Sequence, residues 1–412
     1  MLPDLNLPEL NINENKEEEK NILKESVDVA LGPAPNSQFG ATNQWTSTGW
    51  IGNFHIDRVL SYAIIDGASD VHINPNQEIS FTIIGDIVHF GSEIFPIPDS
   101  EILFTLVENV LSAVAMGKYN VEKDMDWAYV IRYGPYKGRR FRVSVGGGIT
   151  ADEHFLCLRV INDKIPSLTE LHVDNEIVTW SNMSNGLFLI CGTTGSGKST
   201  TLASVLREVQ ITQPRKIITI ERPVEYIYPK NGKGLVVQRE VGIGCDSFNS
   251  GLTGAMRQNP DIILLGEVRN KEEINELLRA AETGHLAIST MHTYSVANTV
   301  NRVLTTFSAE EKDLIMSTFS DSVRGLCNQV LVKDGKGGRF AVREILTVNN
   351  DVKKLLAKGD IQGIRKYQLE NEITMENKLA KLMLDDKITE EEARKHITNV
   401  DDFDTILERY GW

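Results

Sequence analysis

The stretch "GLFLICGTTGSGKSTTLASVL", Gly186 to Leu206, is an apolar run, a glycine-rich loop and a helical segment in immediate succession. Gly192, Gly197, Lys198 and Ser199 fit the pattern GxxxxGK[ST]. Glycines at these positions let the backbone N–H groups turn inward around phosphate oxygens, and the following helix aims its positive end at the same anion. Lys198 neutralises the outer phosphates and Ser199 offers a hydroxyl to Mg²⁺. The whole loop, Gly192, Thr193, Thr194, Gly195, Ser196, Gly197, Lys198, Ser199 and Thr200, is therefore the expected seat of ATP or ADP. The strand before it and the helix after it are the context the pattern requires, which leaves little room for an incidental Gly-Ser turn.

Moving outward, "KIITI", "DIILLG" and "HLAISTMH" are short continuous apolar runs, separated in places by helical stretches such as "KEEINELLRAAETG". Buried strands alternating with amphipathic helices predict an α/β fold with a mostly parallel sheet. Ligands of such sheets gather beyond the carboxyl ends of the strands. One run, "IITIERPVEY", stops abruptly at Glu221, Arg222 and Pro223. Glu221 follows Lys198 by 23 residues, and a crossover of that length predicts a second strand alongside the first, its tip facing the loop. A carboxylate there can orient and deprotonate an attacking water. Asp261 and Glu267 bracket the next strand in "PDIILLGEVR", and Glu267 is placed to hold a Mg²⁺-bound water. Taken singly, each carboxylate reads as readily as a salt bridge. Two at successive strand tips after a phosphate loop read as a site. In "TGHLAISTMHT", His292 falls near a strand's carboxyl end, where it can bond a terminal phosphate. His285 starts the same strand and reads equally as a structural histidine. Their odd separation makes them a poor metal pair.

The first half has another pattern. "ISFTIIGDIVHF" alternates about Gly85-Asp86 as a hairpin, "EILFTLVENVLSAV" is an amphipathic helix, and "WAYVIRYGPYKGRRFRVSVGGG" with "EHFLCLRVI" reads as antiparallel strands. The expected domains are an acidic, disordered arm over 1–48, a small α+β domain over 49–162 and a linker over 163–180. A nucleotide-binding core follows over 181–350, then a helical region over 351–412. The 412 residues are 41% hydrophobic with a net charge of −14, which disfavours stable nucleic-acid binding. Four scattered cysteines give no zinc signal and suit a reducing compartment. No apolar run reaches the roughly 18 residues of a membrane span, and the first twenty residues lack a leader pattern, so a cytoplasmic location is expected.

Together these segments resemble the hexameric secretion-type ATPases of the pilus-retraction (PilT-like) and type IV secretion group. "GASDVHI" resembles a signature of their N-terminal domain. "RRFRV", "RPVEY", "VQREVG", "NPDIILLGEVR", "AAETGHLAISTMHT" and the tail "ENKLAKLMLDDKITEEEARKHI" are similar to successive family segments, in order. The resemblance implies a PAS-like N-terminal domain, a RecA-like P-loop motor and C-terminal helices, assembled as a homo-hexamer. It makes Glu221 the catalytic carboxylate, Glu267 the Walker B residue, and His285 and His292 the histidine-box pair. Arg140, Arg142 and Arg159 match arginines that reach the nucleotide. It implies a motor at the cytoplasmic face of the inner membrane, held there peripherally through secretion or pilus platform proteins. Two departures stand out: Glu221-Arg222 where the family has Glu-Asp, and the long acidic arm. With the missing tetracysteine motif they lean toward the type IVB secretion (DotB-like) branch. A retraction motor, a scaffold disabled by Arg222 and a nucleic-acid translocase are the competing readings.

Overall fold

Two sheets form, one from alternating apolar residues and one from continuous apolar runs. The computed structural model describes residues 12–31, 53–83, 85–95, 97–110, 117, 119, 124–150, 153–161, 164–335 and 338–412. It divides into two units, Met1–Asp163 and Lys164–Trp412.

In the first unit, period-two alternation gives β1 (Asp70–Ile73), β2 (Ser80–Ile83), β3 (Asp86–His89), β4 (Asp124–Val130), β5 (Arg140–Gly147) and β6 (His154–Val160). They form one antiparallel sheet in the order β3-β2-β1-β6-β5-β4. The predicted hairpin is present, with Gly85 at a φ of +95° that a side chain would strain. Val71, Phe81, Phe141, Val143, Leu156 and Leu158 fill one face and bury against helices Asn53–Asp66 and Ser100–Val110. The expectation of a disordered arm gives way over twenty residues, since Ile12–Leu31 is a helix. Val27 is buried in the core of this unit, and Asp28 pairs at 2.6 Å with Arg58, which is only 4% exposed. A guanidinium so enclosed needs a carboxylate, and the arm supplies it. Residues 1–11 and 32–48 of the arm lie outside the described residues.

The second unit holds β7 (Gly186–Cys191), β8 (Lys216–Glu221), β9 (Leu235–Glu240), β10 (Ile262–Leu265), β11 (Leu286–Met291), β12 (Val323–Lys333) and β13 (Arg339–Thr347). Their order is β13-β12-β7-β11-β10-β8-β9, parallel except for the β12–β13 hairpin. One expectation is corrected here. β8 does not lie beside β7, because β10 and β11 stand between them, so the two tips are three strand spacings, about 14 Å, apart. Every residue of β7, β10 and β11 is buried, which suits these strands to the centre of a sheet covered on both faces. Helix Lys198–Thr212 covers one face through Leu202, Val205, Leu206 and Val209. Helices Phe248–Met256, Lys271–Glu282 and Val296–Thr306 cover the other. Five further helices lie between Asn350 and Arg409. Among the described residues no helix is long and apolar enough to cross a membrane.

Candidate nucleotide-binding site

The loop between β7 and its helix is built on backbone that only glycine adopts without strain. Gly192, Gly195 and Gly197 have φ of +147°, +79° and +82°. A Cβ on Gly192 would also stand 2.3 Å from the Gln329 carbonyl oxygen. Helix Lys198–Thr212 starts without any side chain capping its first turn, so its amide end is available to an anion. The Lys198 ammonium, buried, donates to the carbonyls of Gly192 and Thr193 at 2.8 Å each. Burial pushes its pKa down, against the pull of the acidic groups Cys191, Glu225 and Glu267.

Glu267 follows β10 at its carboxyl end. Its carboxylate pairs with Arg269 and lies 3.6 Å from His292 Nε2. The tips of β10 and β11 are stitched by Ser289 donating to the Leu265 carbonyl and Thr290 to that of Gly266, at 2.7 and 2.6 Å. His292 stays half-exposed, and its pKa is lowered by burial and then by the charge of Lys198. Lys198, Glu267 and His292, read separately from the sequence, are thus within one electrostatic neighbourhood.

Glu221 is placed differently from Glu267. It accepts from Thr219 Oγ1 at 2.6 Å, from Gln238 Nε2 at 3.4 Å and from the Glu225 backbone N–H. Desolvation pushes its pKa up to about 7. With Ser199, Tyr226, Gly266 and Thr290 it lines a cavity of about 30 Å³, room for a single water on the scale of liquid volume. Tyr226 also bonds the hydroxyl of Thr200 at 2.9 Å. Arg222 is exposed, and the hydrogen bonds to Glu221 come from Thr219, Gln238 and Glu225 instead. The exposed carboxylate whose charge reaches Lys198 is Glu225, four residues on.

Within the second unit, one predicted residue lies away from this cluster. His285 precedes β11 at its amino end, about 20 Å from the opposite tip by strand rise, with Nδ1 3.0 Å from the Ala280 carbonyl oxygen. Arg140, Arg142 and Arg159 belong to the first unit. Alternation along β5, and the Arg142–Arg159 register with β6, put all three on one face of that sheet. There Arg142 pairs with Asp126 at 2.9 Å and Arg159 with Asp70 at 2.7 Å.

A glycine-built phosphate loop ahead of a buried parallel sheet, with acids at two neighbouring strand tips, defines a P-loop nucleotide hydrolase. Residues 156–395 match the family described as "Type II/IV secretion system protein", and the chain belongs to that family. It is 32% identical over 307 residues to the type IV pilus retraction ATPase PilT of Pseudomonas aeruginosa, covering 74% of this chain and 86% of the relative. A twitching motility protein of Neisseria gonorrhoeae is 38% identical over 268 residues, 63% and 70% of the two chains. Among solved structures, the pilus retraction motor PilT with bound ADP superposes with a TM-score of 0.77 at 31% identity, covering 85% and 99%. The Legionella pneumophila ATPase DotB gives 0.70 at 28%, covering 84% and 95%. The chain is accordingly an ATPase of the PilT-like and type IV secretion group, with an α/β fold in N- and C-terminal domains.

Proposed function

We propose that this ATPase is a Mg²⁺-dependent ring motor, a homo-hexamer, that powers a type IV secretion or pilus machine from the cytoplasmic face of the inner membrane. The observation that carries the reading is the glycine-built loop of Lys198, with Glu267 and His292 paired at the neighbouring strand tips. Phosphates lie against the loop amides from Gly192 to Thr200, with Lys198 released from its own loop carbonyls to the outer phosphates. The hydroxyl of Ser199 and, through water, the carboxylate of Glu267 are hard oxygen donors that would hold Mg²⁺ with part of its water shell. The ion, when bound, neutralises charge on the transferring phosphoryl group. Glu225 is the exposed carboxylate that orients the attacking water, and Glu221 is the enclosed acid that braces the turn through the Glu225 amide. His292, tied to Glu267, bonds the terminal phosphate and registers its departure. Arg140, Arg142 and Arg159 are proposed to serve the same nucleotide, and His285 to act in the strand rather than on ATP.

The acidic arm and Arg222 support service in a type IVB secretion system, with the likeness to DotB beside them. A retraction motor proper is the second reading, supported by the likeness to PilT. Platform proteins of the membrane complex are the proposed partners, membrane association is through them alone, and nucleic acid is not a partner. The proposed boundaries remain 163–180 for the linker, 181–350 for the core and 351–412 for the C-terminal helices.

The test is ATP turnover against protein concentration for wild type and Lys198→Ala. Specific activity that rises with concentration and is lost in the variant supports a ring motor using this loop. Activity independent of concentration, or retained without Lys198, sinks the proposal.

A further inference from the structure

The β12–β13 hairpin, at one edge of the second sheet, carries two buried polar cross-strand pairs. Gln329 faces Arg343 and Asn328 faces Glu344 in the strand register. All four are at most 4% exposed. Adjacent residues of a strand point to opposite faces, so the pairs emerge on opposite sides of one hairpin. Buried polar groups at four neighbouring positions cost stability unless each has a partner, and a packed apolar set would cost less. What they hold therefore indicates why they are there.

The first pair holds the phosphate loop. Gln329 Nε2 donates to the Ser196 carbonyl at 2.7 Å, and its Oε1 accepts from Thr201 Oγ1 at 2.9 Å and from Arg343 Nε at 2.8 Å. The same residue stands beneath the two glycines, with its backbone oxygen against Gly192 and its amide nitrogen against Gly197. Arg343 reaches on to the His172 carbonyl and Asp174, both at 3.0 Å, in the segment ahead of helix Asn175–Ser181. The second pair holds the loop that carries His292. Asn328 Nδ2 donates to the Tyr294 carbonyl at 2.9 Å, and Glu344 accepts from the Val296 backbone N–H. Gln368, on helix Ile361–Glu370 and also buried, donates to Glu344 from behind.

We propose that the hairpin is a two-sided positioning clamp: Gln329 with Arg343 sets the shape of the phosphate loop, and Asn328 with Glu344 sets the loop that presents His292. The bonds of the four residues run to the two loops, so they act as positioning residues through them. Each limb also has an outer tether, the 172–174 segment on one side and helix Ile361–Glu370 on the other. A displacement of either tether reaches one loop and leaves the other in place, so nucleotide affinity and turnover are adjustable separately. The inference rests on the proposed roles of Lys198 and His292.

The experiment measures affinity for a fluorescent ATP analogue and kcat in the full chain, beside a melting curve for each variant. Gln329→Met keeps the volume and removes the bonds to Ser196, Thr201 and Arg343. It is expected to weaken nucleotide binding about tenfold with kcat at saturation unchanged, the size expected when a buried carbonyl loses its donor. Glu344→Leu is expected to lower kcat about tenfold with affinity unchanged, and Glu344→Gln, which retains an acceptor for Val296, to recover most of it. Asn328→Ser reads the same limb if Glu344→Leu does not fold. The clamp is refuted if the variants only lower the melting temperature, or if affinity and kcat move together in both limbs. Lys198→Ala run alongside separates the two ideas: nucleotide binding that survives in it condemns the site itself, not the clamp.

Discussion

Replacing Glu225 and Glu221 by glutamine, one at a time, separates a reacting carboxylate from a bracing one on two axes. Glu225 is exposed and its charge reaches Lys198. Glu225→Gln should leave stability within about 0.5 kcal/mol, as for most surface changes, and cut kcat by roughly 10²–10⁴, the range of a lost general base. Glu221 behaves oppositely. Its pKa stands at about 7 because enclosure disfavours the charged form. An acid whose folded pKa is raised binds its proton more tightly in the fold than in the unfolded chain. Its contribution to stability is whole below the ordinary carboxylate range and is lost as pH rises through about 7. Above that, the enclosed charge costs on the order of 2–3 kcal/mol, which glutamine does not incur. Glu221→Gln should therefore melt several degrees above wild type at pH 8, by about 2–4 °C per kcal/mol for a unit of this size, and near it at pH 4.5. Its kcat should fall less than about tenfold, because Gln still accepts from Thr219 and the Glu225 amide. The assays are phosphate release at saturating ATP and thermal melts at the two pH values. Turnover that survives in Glu225→Gln and vanishes in Glu221→Gln would refute this reasoning and return the catalytic role to the strand tip.

Gly192→Ala should weaken nucleotide binding at least about tenfold by equilibrium titration, because φ is +147° and the new methyl meets the Gln329 carbonyl oxygen at 2.3 Å. Gly325→Ala would place a methyl 2.3 Å from the Trp180 ring. It should cost about 1–3 kcal/mol in denaturant unfolding while the folded protein binds nucleotide normally. Asp28→Ala deprives the buried Arg58 of its carboxylate and Tyr62 of an acceptor at 2.8 Å. A loss of about 1–3 kcal/mol is expected in the first unit, whereas Glu17→Ala, on an exposed face of the same helix, should change the midpoint little. An unchanged midpoint in Asp28→Ala would mean the arm helix adds nothing to that unit.

Chemistry that is local along the chain could be read from the residues alone. The phosphate loop was legible because its glycines, lysine and serine must follow one another to wrap one anion. The two kinds of sheet were legible because pleated backbone writes its exposure into a period of two, or erases it when both faces are covered. Glu267 and His292 were legible as strand tips for the same reason. Strand neighbours were not. β8 follows β7 in the chain, yet the packing of helices on both faces sets β11 and β10 between them, and no residue in either strand records that order. The turn after β8 left the same gap. "ERPVEY" offers two acids, and only the folded turn gives Glu221 to Thr219 and Gln238 and leaves Glu225 exposed. The arm's helix depends on an arginine some thirty residues away. Asn328, Gln329, Arg343 and Glu344 sit in an ordinary hairpin pattern, and their partners come from segments up to 172 residues distant. Hydrogen bonds across such separations follow from how the layers stack, so they exist only in the folded chain.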